Sequence, residues 1–328
     1  MDRRPTWLSS WAKAAEAFRA HDAAAYATLA QAFADDPESG MPESPPIVLA
    51  TLRRAALQGR ATDPFMGDTE AIRADARRLA EEIDEAVAIG LVQYTDPLRI
   101  GDIVPGLRLA ARWYPRYPMH IVDLGASAGM LLLAASTSIQ FSNASWAPQD
   151  SLGVIDYPMA VPPDLMATPV RIESAVGIDL HPLDVRDPAT PEILHSYQWP
   201  GPLARTERLD LGIRIAAQRP PHVIKGDVLA ITPDVLRERL ARDQVTVVID
   251  SAFSHYLPLP AQIQLGRHLD RLRGAGPLVL ISRGATGSNG AFRSALRAVD
   301  LTGRRRSAYA ETDLLSEHPR WLEHTPSC

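Results

Sequence analysis

The chain has almost no cysteine and almost no lysine. Its one cysteine is Cys328, the last of 328 residues. This excludes an internal disulfide framework and a cysteine-based zinc site, and it is typical of a reducing compartment. The net charge is −5, and the cations are nearly all arginine, since Lys13 and Lys225 are the only lysines. The densest basic run, residues 304–306, is too short for a nucleic-acid-binding surface, so we expect no nucleic-acid partner.

Long apolar runs are also lacking. The sequence contains no stretch of about eighteen apolar residues, so we predict no membrane-spanning helix and no membrane partner. Residues 1–22 carry charges throughout and lack the apolar segment of a signal peptide, which predicts a cytoplasmic protein. The nine histidines are scattered without the spacing of a zinc-binding pair, so we predict no metal site.

The first part of the chain predicts helices. Apolar residues recur every three or four positions over residues 7–33, 47–58 and 69–91, which is typical of amphipathic helices. No strand pattern precedes residue 119. We therefore expect residues 1–115 to form an all-helical N-terminal domain, with a lid over the site as its expected role.

From residue 116 onward, apolar strand patterns alternate with helix patterns. The predicted strands are 119–124, 174–180, 222–227, 245–250 and 277–282. The predicted helices are 128–135, 203–217, 233–242, 261–273 and 289–299. This alternation predicts a mostly parallel sheet with helices on both faces, so residues 116–328 are expected to form a Rossmann-like α/β domain. Residues 305–311 and 320–324 predict a C-terminal antiparallel hairpin, and residues 136–171 form a long insertion without predicted elements.

The stretch Gly125–Gly129, GASAG, has two incompatible interpretations. As Gly-x-Ser-x-Gly between a strand and a helix, it resembles the nucleophile elbow of a serine hydrolase, with Ser127 as nucleophile. As Asp123-x-Gly-x-Ser-x-Gly, it resembles the cofactor-binding turn of an S-adenosylmethionine enzyme. The first interpretation is the weaker, because the stretch follows the first predicted strand and no glycine-rich oxyanion loop precedes it. A dinucleotide site would lack two of its three glycines, and no Walker sequence occurs.

Four features in order resemble class I methyltransferases. They are the Asp123 turn, Asp179 at the end of the second strand, Gly226-Asp227 after the third strand, and a glycine turn at 273–277 before the fifth. The resemblance implies a class I methyltransferase fold that binds S-adenosylmethionine, with Asp179 on the ribose and Gly226-Asp227 near the adenine. The cofactor-binding residues expected from it are Tyr94, Arg99, Asp123, Gly125, Ala126, Ser127, Gly129, Asp179, Leu180, His181, Gly226, Asp227, Val228, Asp250 and Ser251.

Most of residues 90–328 is also similar to a poorly characterised bacterial family with a methyltransferase-like core behind a helical N-terminal region. The similar stretches are 92–107, 122–133, 177–188, 197–200, 247–258 and 318–324. This resemblance implies the architecture more than a reaction. The chain departs from the family pattern at Leu131, His181, Asp250 and His255, which implies altered chemistry at the strand ends.

The catalytic candidates follow the fourth predicted strand. His255 titrates near neutral pH and is the predicted general base, Asp250 could orient it or bind substrate, and Tyr256 could line the site. We predict methyl transfer from S-adenosylmethionine to a small-molecule substrate in biosynthesis, by a chain compatible with a homodimer. Two alternatives remain open: a cyclisation, isomerisation or hydrolysis on the same fold, or a ligand-binding protein without catalysis.

Overall fold

The computed structural model describes residues 44–90, 92–198, 203–239, 243–272, 276–286, 293–302, 307–313 and 320–324. The helix predicted over residues 7–33, and residues 273–275 of the glycine turn predicted at 273–277, lie outside these residues. The described chain divides into two compact units. One holds the described residues up to Thr95 together with Asp187–Asp210, and the other holds Asp96–Arg186 together with the described residues from Leu211 onward. No helix within the described ranges is long and apolar enough to cross a membrane.

The first unit is helical in its described part. Its elements are α1 (Pro45–Leu57), α2 (Thr69–Arg78), α3 (Ala80–Ile89), α6 (Thr190–Ser196) and the first half of α7 (Leu203–Gln218). Asp68 begins α2 by accepting a hydrogen bond from the N–H of Ala71 at 2.9 Å, and Gly90 ends α3 in the left-handed conformation. Arg54 of α1 forms an ion pair of 2.9 Å with Glu192 of α6. The single helix predicted over residues 69–91 is observed as two helices, α2 and α3.

The second unit is built on an eight-stranded sheet. In chain order its strands are β1 (Met119–Leu124), β5 (Ile172–Asp179), β6 (Val223–Lys225), β7 (Val245–Ser251), β8 (Leu278–Thr286), β9 (Arg293–Asp300), β10 (Ser307–Asp313) and β11 (Arg320–His324). The spatial order is β11-β10-β9-β8-β7-β1-β5-β6, and the five strands from β8 to β6 are parallel. Taken in chain order, those five are arranged 3-2-1-4-5, as in a doubly wound Rossmann-like sheet. The predicted fold class is confirmed.

Helices cover both faces of the sheet. On one face, α8 (Val228–Arg239) and α9 (Leu259–Arg271) join a buried core that includes Val122, Ile178 and Val248. On the other face lies α4 (Arg99–Trp113), where Gly106 is so close to Ile281 of β8 that a Cβ atom would come within 2.8 Å of it. Because α4 packs on the sheet, it belongs to the second unit, whereas the sequence placed it before the expected boundary at residue 115.

The C-terminal part contains one more strand than predicted. Residues 289–299 were expected to form a helix, and this expectation is wrong for the described part, where β9 pairs antiparallel with β8 and β10. The predicted hairpin is confirmed, since β10 pairs antiparallel with β11. Three antiparallel strands thus extend the parallel sheet beyond β8.

The insertion at 136–171 has secondary structure of its own. Strands β2 (Ser138–Phe141), β3 (Ser145–Trp146) and β4 (Val154–Tyr157) form a small separate sheet, followed by the short helix α5 (Pro163–Met166). The indole N–H of Trp146 donates to the carbonyl of Ala134 at 2.9 Å. The insertion is therefore an ordered part of the second unit and not a structureless loop.

Candidate functional site

The GASAG stretch forms a tight turn directly after β1. Gly125, Ser127 and Gly129 have φ angles of 69°, 52° and 72°, all in the left-handed region. The N–H groups of Gly125 and Ala126 both donate to the carbonyl of Ile178 in β5, at 2.9 and 3.1 Å. The turn is thus fixed to the neighbouring strand at the carboxyl end of the sheet, which is where α/β folds bind ligands.

Two glycines allow this turn to pack without side chains in the way. A Cβ atom on Gly125 would come within 2.4 Å of the Phe253 ring, and one on Gly177 would come within 2.4 Å of the Ala126 Cβ. Ser127 and Ala252 are the two non-glycine residues with positive φ among those the structure describes, and both follow a central strand. Strained backbone of this kind is concentrated at functional sites.

Asp179, at the end of β5, is held by the main chain around it. Its Oδ2 accepts a hydrogen bond from the N–H of Ser127, and its Oδ1 accepts one from the N–H of His181, both at 2.8 Å. Its main-chain carbonyl accepts from the N–H of Gly226 at 2.8 Å, which joins the end of β5 to the loop after β6. This buried carboxylate is therefore oriented by the main chain through both of its oxygens.

Asp123, the acidic residue of β1, is buried close to other charged side chains. Its side chain is 2% exposed, and it lies beside Ile249 and Gly177 in the two neighbouring strands. Burial raises the pKa of Asp123 well above its usual value, and the negative charges of Asp250 and Asp179 raise it further, while Arg99 opposes them. Asp123 therefore retains its proton to a higher pH than an ordinary aspartate does.

Asp250 supports the turn that carries the catalytic candidates. It is buried near the end of β7, and its Oδ1 accepts a hydrogen bond of 3.0 Å from the N–H of Ser254. Residues Phe253–Tyr256 form one 3₁₀ turn. The main chain of His255 belongs to this turn, whereas its side chain lies outside the described part.

Tyr256 and Arg99 lie close to one another at this edge. Tyr256 is 38% exposed, yet loss of solvation raises the pKa of its phenol, with the positive charge of Arg99 acting in the opposite direction. Both observations fit a Tyr256 side chain whose hydroxyl group faces inward and whose ring is partly exposed to solvent. Arg99 begins α4, so this helix brings a cation to the carboxyl ends of β1 and β7.

The remaining predicted residues are distributed around the turn. Leu180 and His181 follow β5, and the side chain of His181 is exposed. Asp227 is also exposed and accepts from the N–H of Leu229 at 2.9 Å, while Val228 is buried in the core at the start of α8. Tyr94 belongs to the helical unit and not to the unit that contains the turn. Within the described ranges, no group of three His, Cys, Asp or Glu residues could hold a metal ion.

Sequence reasoning missed one buried polar group beside the site. Arg283 of β8 forms an ion pair with Asp102 of α4, with 2.7 Å between Nε and Oδ2. The Tyr157 hydroxyl donates to Oδ1 of the same carboxylate at 2.5 Å. The available signals were an arginine directly after the apolar run LVLIS and an aspartate within the largely apolar helix α4. Neither signal indicates a partner by itself.

The strand order defines a Rossmann-like α/β protein. A family model described as "Uncharacterized protein conserved in bacteria (DUF2332)" matches residues 9–324. The chain belongs to this family.

The chain is similar to several solved structures. Monomeric WbdD shares 16% identity at a TM-score of 0.29, and the match covers 57% of this chain and 31% of that one. The bifunctional kinase-methyltransferase WbdD shares 16% identity at a TM-score of 0.29, and the match covers 57% of this chain and 28% of that one. An S-adenosylmethionine-dependent methyltransferase from Clostridium acetobutylicum ATCC 824 shares 6% identity at a TM-score of 0.26, and the match covers 76% of this chain and 78% of that one. The match thus spans less than a third of the WbdD chains. No curated protein matches the chain.

Proposed function

We propose that the protein transfers a methyl group from S-adenosylmethionine to a small-molecule acceptor. The observation that carries the proposal is the position of Asp179, whose carboxylate is held between the N–H groups of Ser127 and His181. A carboxylate fixed in this way at the end of the second parallel strand can accept from the two adjacent hydroxyls of a ribose.

The residues around the turn fit the cofactor chemically. Gly125 and Gly177 leave no room for a Cβ atom, so the main chain itself forms the surface at the end of β1. Asp179 and Asp250 are buried close to Asp123, and their negative charges favour a cationic ligand there. When bound, S-adenosylmethionine supplies an electrophilic methyl group on a positively charged sulfur.

The contribution of the chain to such a reaction is chiefly positioning. Methyl transfer requires the acceptor atom to be aligned with the methyl group, and alignment alone can account for much of a rate enhancement. The Phe253–Tyr256 turn, fixed by Asp250, is where an acceptor would meet the chain's polar groups. His255 stays our prediction for the base that removes the acceptor's proton, with Asp250 and Tyr256 as neighbours.

Calorimetric titration with S-adenosylmethionine and S-adenosylhomocysteine tests the proposal directly. We expect both to bind, and we expect Asp179→Asn to weaken both by at least about tenfold, since hydrogen bonds to a charged group contribute about 1.5–3 kcal/mol. Asp184→Asn is the matched control, because Asp184 is an exposed acid nearby that pairs with Arg186 and not with the turn.

The outcomes of this titration separate the alternatives. Absence of binding at millimolar cofactor in the wild-type protein overturns the proposal. Equal loss of affinity in Asp179→Asn and Asp184→Asn means that the ribose assignment is wrong. Tight binding without methyl transfer to any member of a broad acceptor panel would favour the ligand-binding alternative.

A further inference from the structure

Arg283 and Ser251 lie side by side at the carboxyl edge of the sheet. They are register partners in the parallel pair β7–β8, and the N–H of Ala252 donates to the carbonyl of Arg283 at 2.8 Å. Side chains alternate between the two faces along a strand, so Ser251 and Arg283 are on the face that carries Ile281 and α4. Asp123 is on the same face, because its neighbours Val122 and Leu124 belong to the core of the opposite one.

Asp102 holds the Arg283 side chain and is itself oriented by Tyr157. Asp102 contacts Nε through its Oδ2, and the Tyr157 hydroxyl orients this carboxylate by donating to its other oxygen. Burial and the charge of Asp102 raise the pKa of Tyr157 well above 10, so the phenol remains a donor at physiological pH. Gly101 allows the tyrosine ring to approach, since a Cβ atom there would overlap it.

This arrangement leaves binding capacity unused. Asp102 contacts the guanidinium at Nε, and the Arg283 side chain remains 25% exposed, so donors on its outer edge can reach a ligand. The Ser251 hydroxyl oxygen is buried and has no hydrogen-bond partner among the residues that the structure describes. A buried polar atom without a partner calls for an explanation such as an absent ligand.

We propose that Arg283 and Ser251 bind a carboxylate group on the methyl acceptor. A guanidinium offers two parallel N–H donors that match the two oxygens of a carboxylate, and the serine hydroxyl supplies a third donor. The inference rests on the proposed function, because it places the acceptor at the end of β7 and β8. The bound carboxylate anchors the acceptor and is not itself methylated, because its lone pairs accept hydrogen bonds from the guanidinium. The acceptor is therefore an acid whose nucleophile is a separate hydroxyl, amine or carbon.

Acetate and acetamide are suitable probes, because they have nearly the same size and differ in charge. Saturation-transfer difference NMR on their methyl protons detects weak binding without a known substrate and without S-adenosylmethionine. The informative variant is Asp102→Asn/Arg283→Gln, which removes both charges together and so avoids a buried unpaired carboxylate. The control is Asp184→Asn/Arg186→Gln, which removes an exposed ion pair and leaves the net charge equally unchanged.

We expect acetate to bind the wild-type protein at least about threefold more tightly than it binds the Asp102→Asn/Arg283→Gln variant, with the control variant matching wild type. Ser251→Ala keeps the ion pair and should weaken acetate about twofold, so the proposal remains testable even if the double variant does not fold. Acetamide should bind all of these proteins alike. Equal acetate binding in wild type, Ser251→Ala and the Arg283 variant would overturn the inference. Calorimetry with S-adenosylmethionine on the same proteins reports separately on the proposed function.

Discussion

The carboxylate of Asp179 accepts the N–H of Ser127 across 2.8 Å, which ties the end of β5 to the turn after β1. Asp179 ends β5, and Ser127 lies in the turn after the adjacent parallel strand β1, so the two meet because this turn bends back over the end of β5. Ser127 has a left-handed backbone conformation that a glycine would adopt without steric strain. Its main chain takes part in this contact, which explains how a serine is tolerated at the centre of the turn.

Replacement of Ser127 by glycine should therefore stabilise the turn without impairing ligand binding. Relief of the left-handed conformation is worth about 1–2 kcal/mol. The greater freedom of glycine in the unfolded chain offsets about 0.5–1 kcal/mol of this. We expect a net gain of about 0.5–1 kcal/mol in the free energy of unfolding, measured with urea. Cofactor affinity should be unchanged.

The same variant tests the hydrolase interpretation of GASAG. A nucleophilic Ser127 would react with a fluorophosphonate probe in the wild-type protein and not in Ser127→Gly. We expect no labelling of either protein, because Ser127 is 7% exposed and its turn follows the first described strand of the sheet. Labelling that disappears in the variant would contradict the methyltransferase interpretation.

Gly125→Ala should disrupt the turn, because it combines two penalties. The residue has a φ of 69°, and the new Cβ would come within 2.4 Å of the Phe253 ring. We expect a loss of about 2–4 kcal/mol in the free energy of unfolding, from backbone strain and overpacking together. Gly59→Ala is the matched control, since Gly59 has a φ of 70° with nothing within 4 Å of the Cβ position. A similar loss in both variants would show that Phe253 is not involved.

Asp123 should make stability depend on pH in an unusual direction for an acid. Burial and two neighbouring carboxylates raise the pKa of Asp123 in the folded protein, so the folded state retains this proton over a pH range where the unfolded state has lost it. Its contribution to stability therefore decreases as pH rises from about 4 toward the folded pKa, by up to about 1.4 kcal/mol per pH unit. Asp123→Asn should remove this dependence.

Urea unfolding of wild type and Asp123→Asn between pH 4 and pH 8 measures this effect. The two proteins should be most alike near pH 4, the low end of this range, because it is closest to the ordinary pKa of an aspartate and ionisation of the unfolded chain has there only begun to disfavour folding. The variant should become the more stable as pH rises. Parallel stability curves for the two proteins would mean that Asp123 ionises normally.

Much of the fold could be predicted because the buried strands are recognisable in the sequence as short apolar runs. The bounds of β1 match the prediction, since all six residues of MHIVDL are buried and four of them are apolar. The helix predicted over 289–299 was wrong because the three-residue spacing of Leu296 and Val299 suits a helix, whereas the alternate residues Ala298 and Asp300 are buried, as in a strand. Pairing with β8 and β10, which is distant in sequence, decides in favour of β9.

The candidate site was predictable where a residue's role depends on its own strand. Asp179 is the last residue of β5, Asp123 and Asp250 are the last but one of β1 and β7, and parallel strands place their carboxyl ends together. Arg283 was not predictable, because its role depends on its register with Ser251 and on the approach of Asp102 from α4. Nor could the sequence show that the helix predicted over 128–135 is a 3₁₀ segment, Met130–Ala135.

That short segment makes Arg99 the more important group for an anionic part of the cofactor. A six-residue 3₁₀ helix aligns few peptide dipoles, whereas Arg99 brings a full charge close enough to influence Asp123 and Tyr256. We predict that Arg99 binds the carboxylate of the cofactor's amino-acid portion. Arg99→Gln should then weaken S-adenosylhomocysteine by about tenfold, which corresponds to about 1.4 kcal/mol.

Methylthioadenosine provides the control for this prediction, because it keeps the adenosine and the sulfur but has no carboxylate. Calorimetry should show that Arg99→Gln changes its affinity by less than about twofold, and that Arg99→Lys partly restores S-adenosylhomocysteine binding, since lysine keeps the charge without the planar fork. If both ligands weaken equally in Arg99→Gln, the arginine acts through the fold of the α4 N-terminus. A selective loss of S-adenosylhomocysteine would instead identify the amino-acid end of the cofactor site and so orient the whole ligand between α4 and β5.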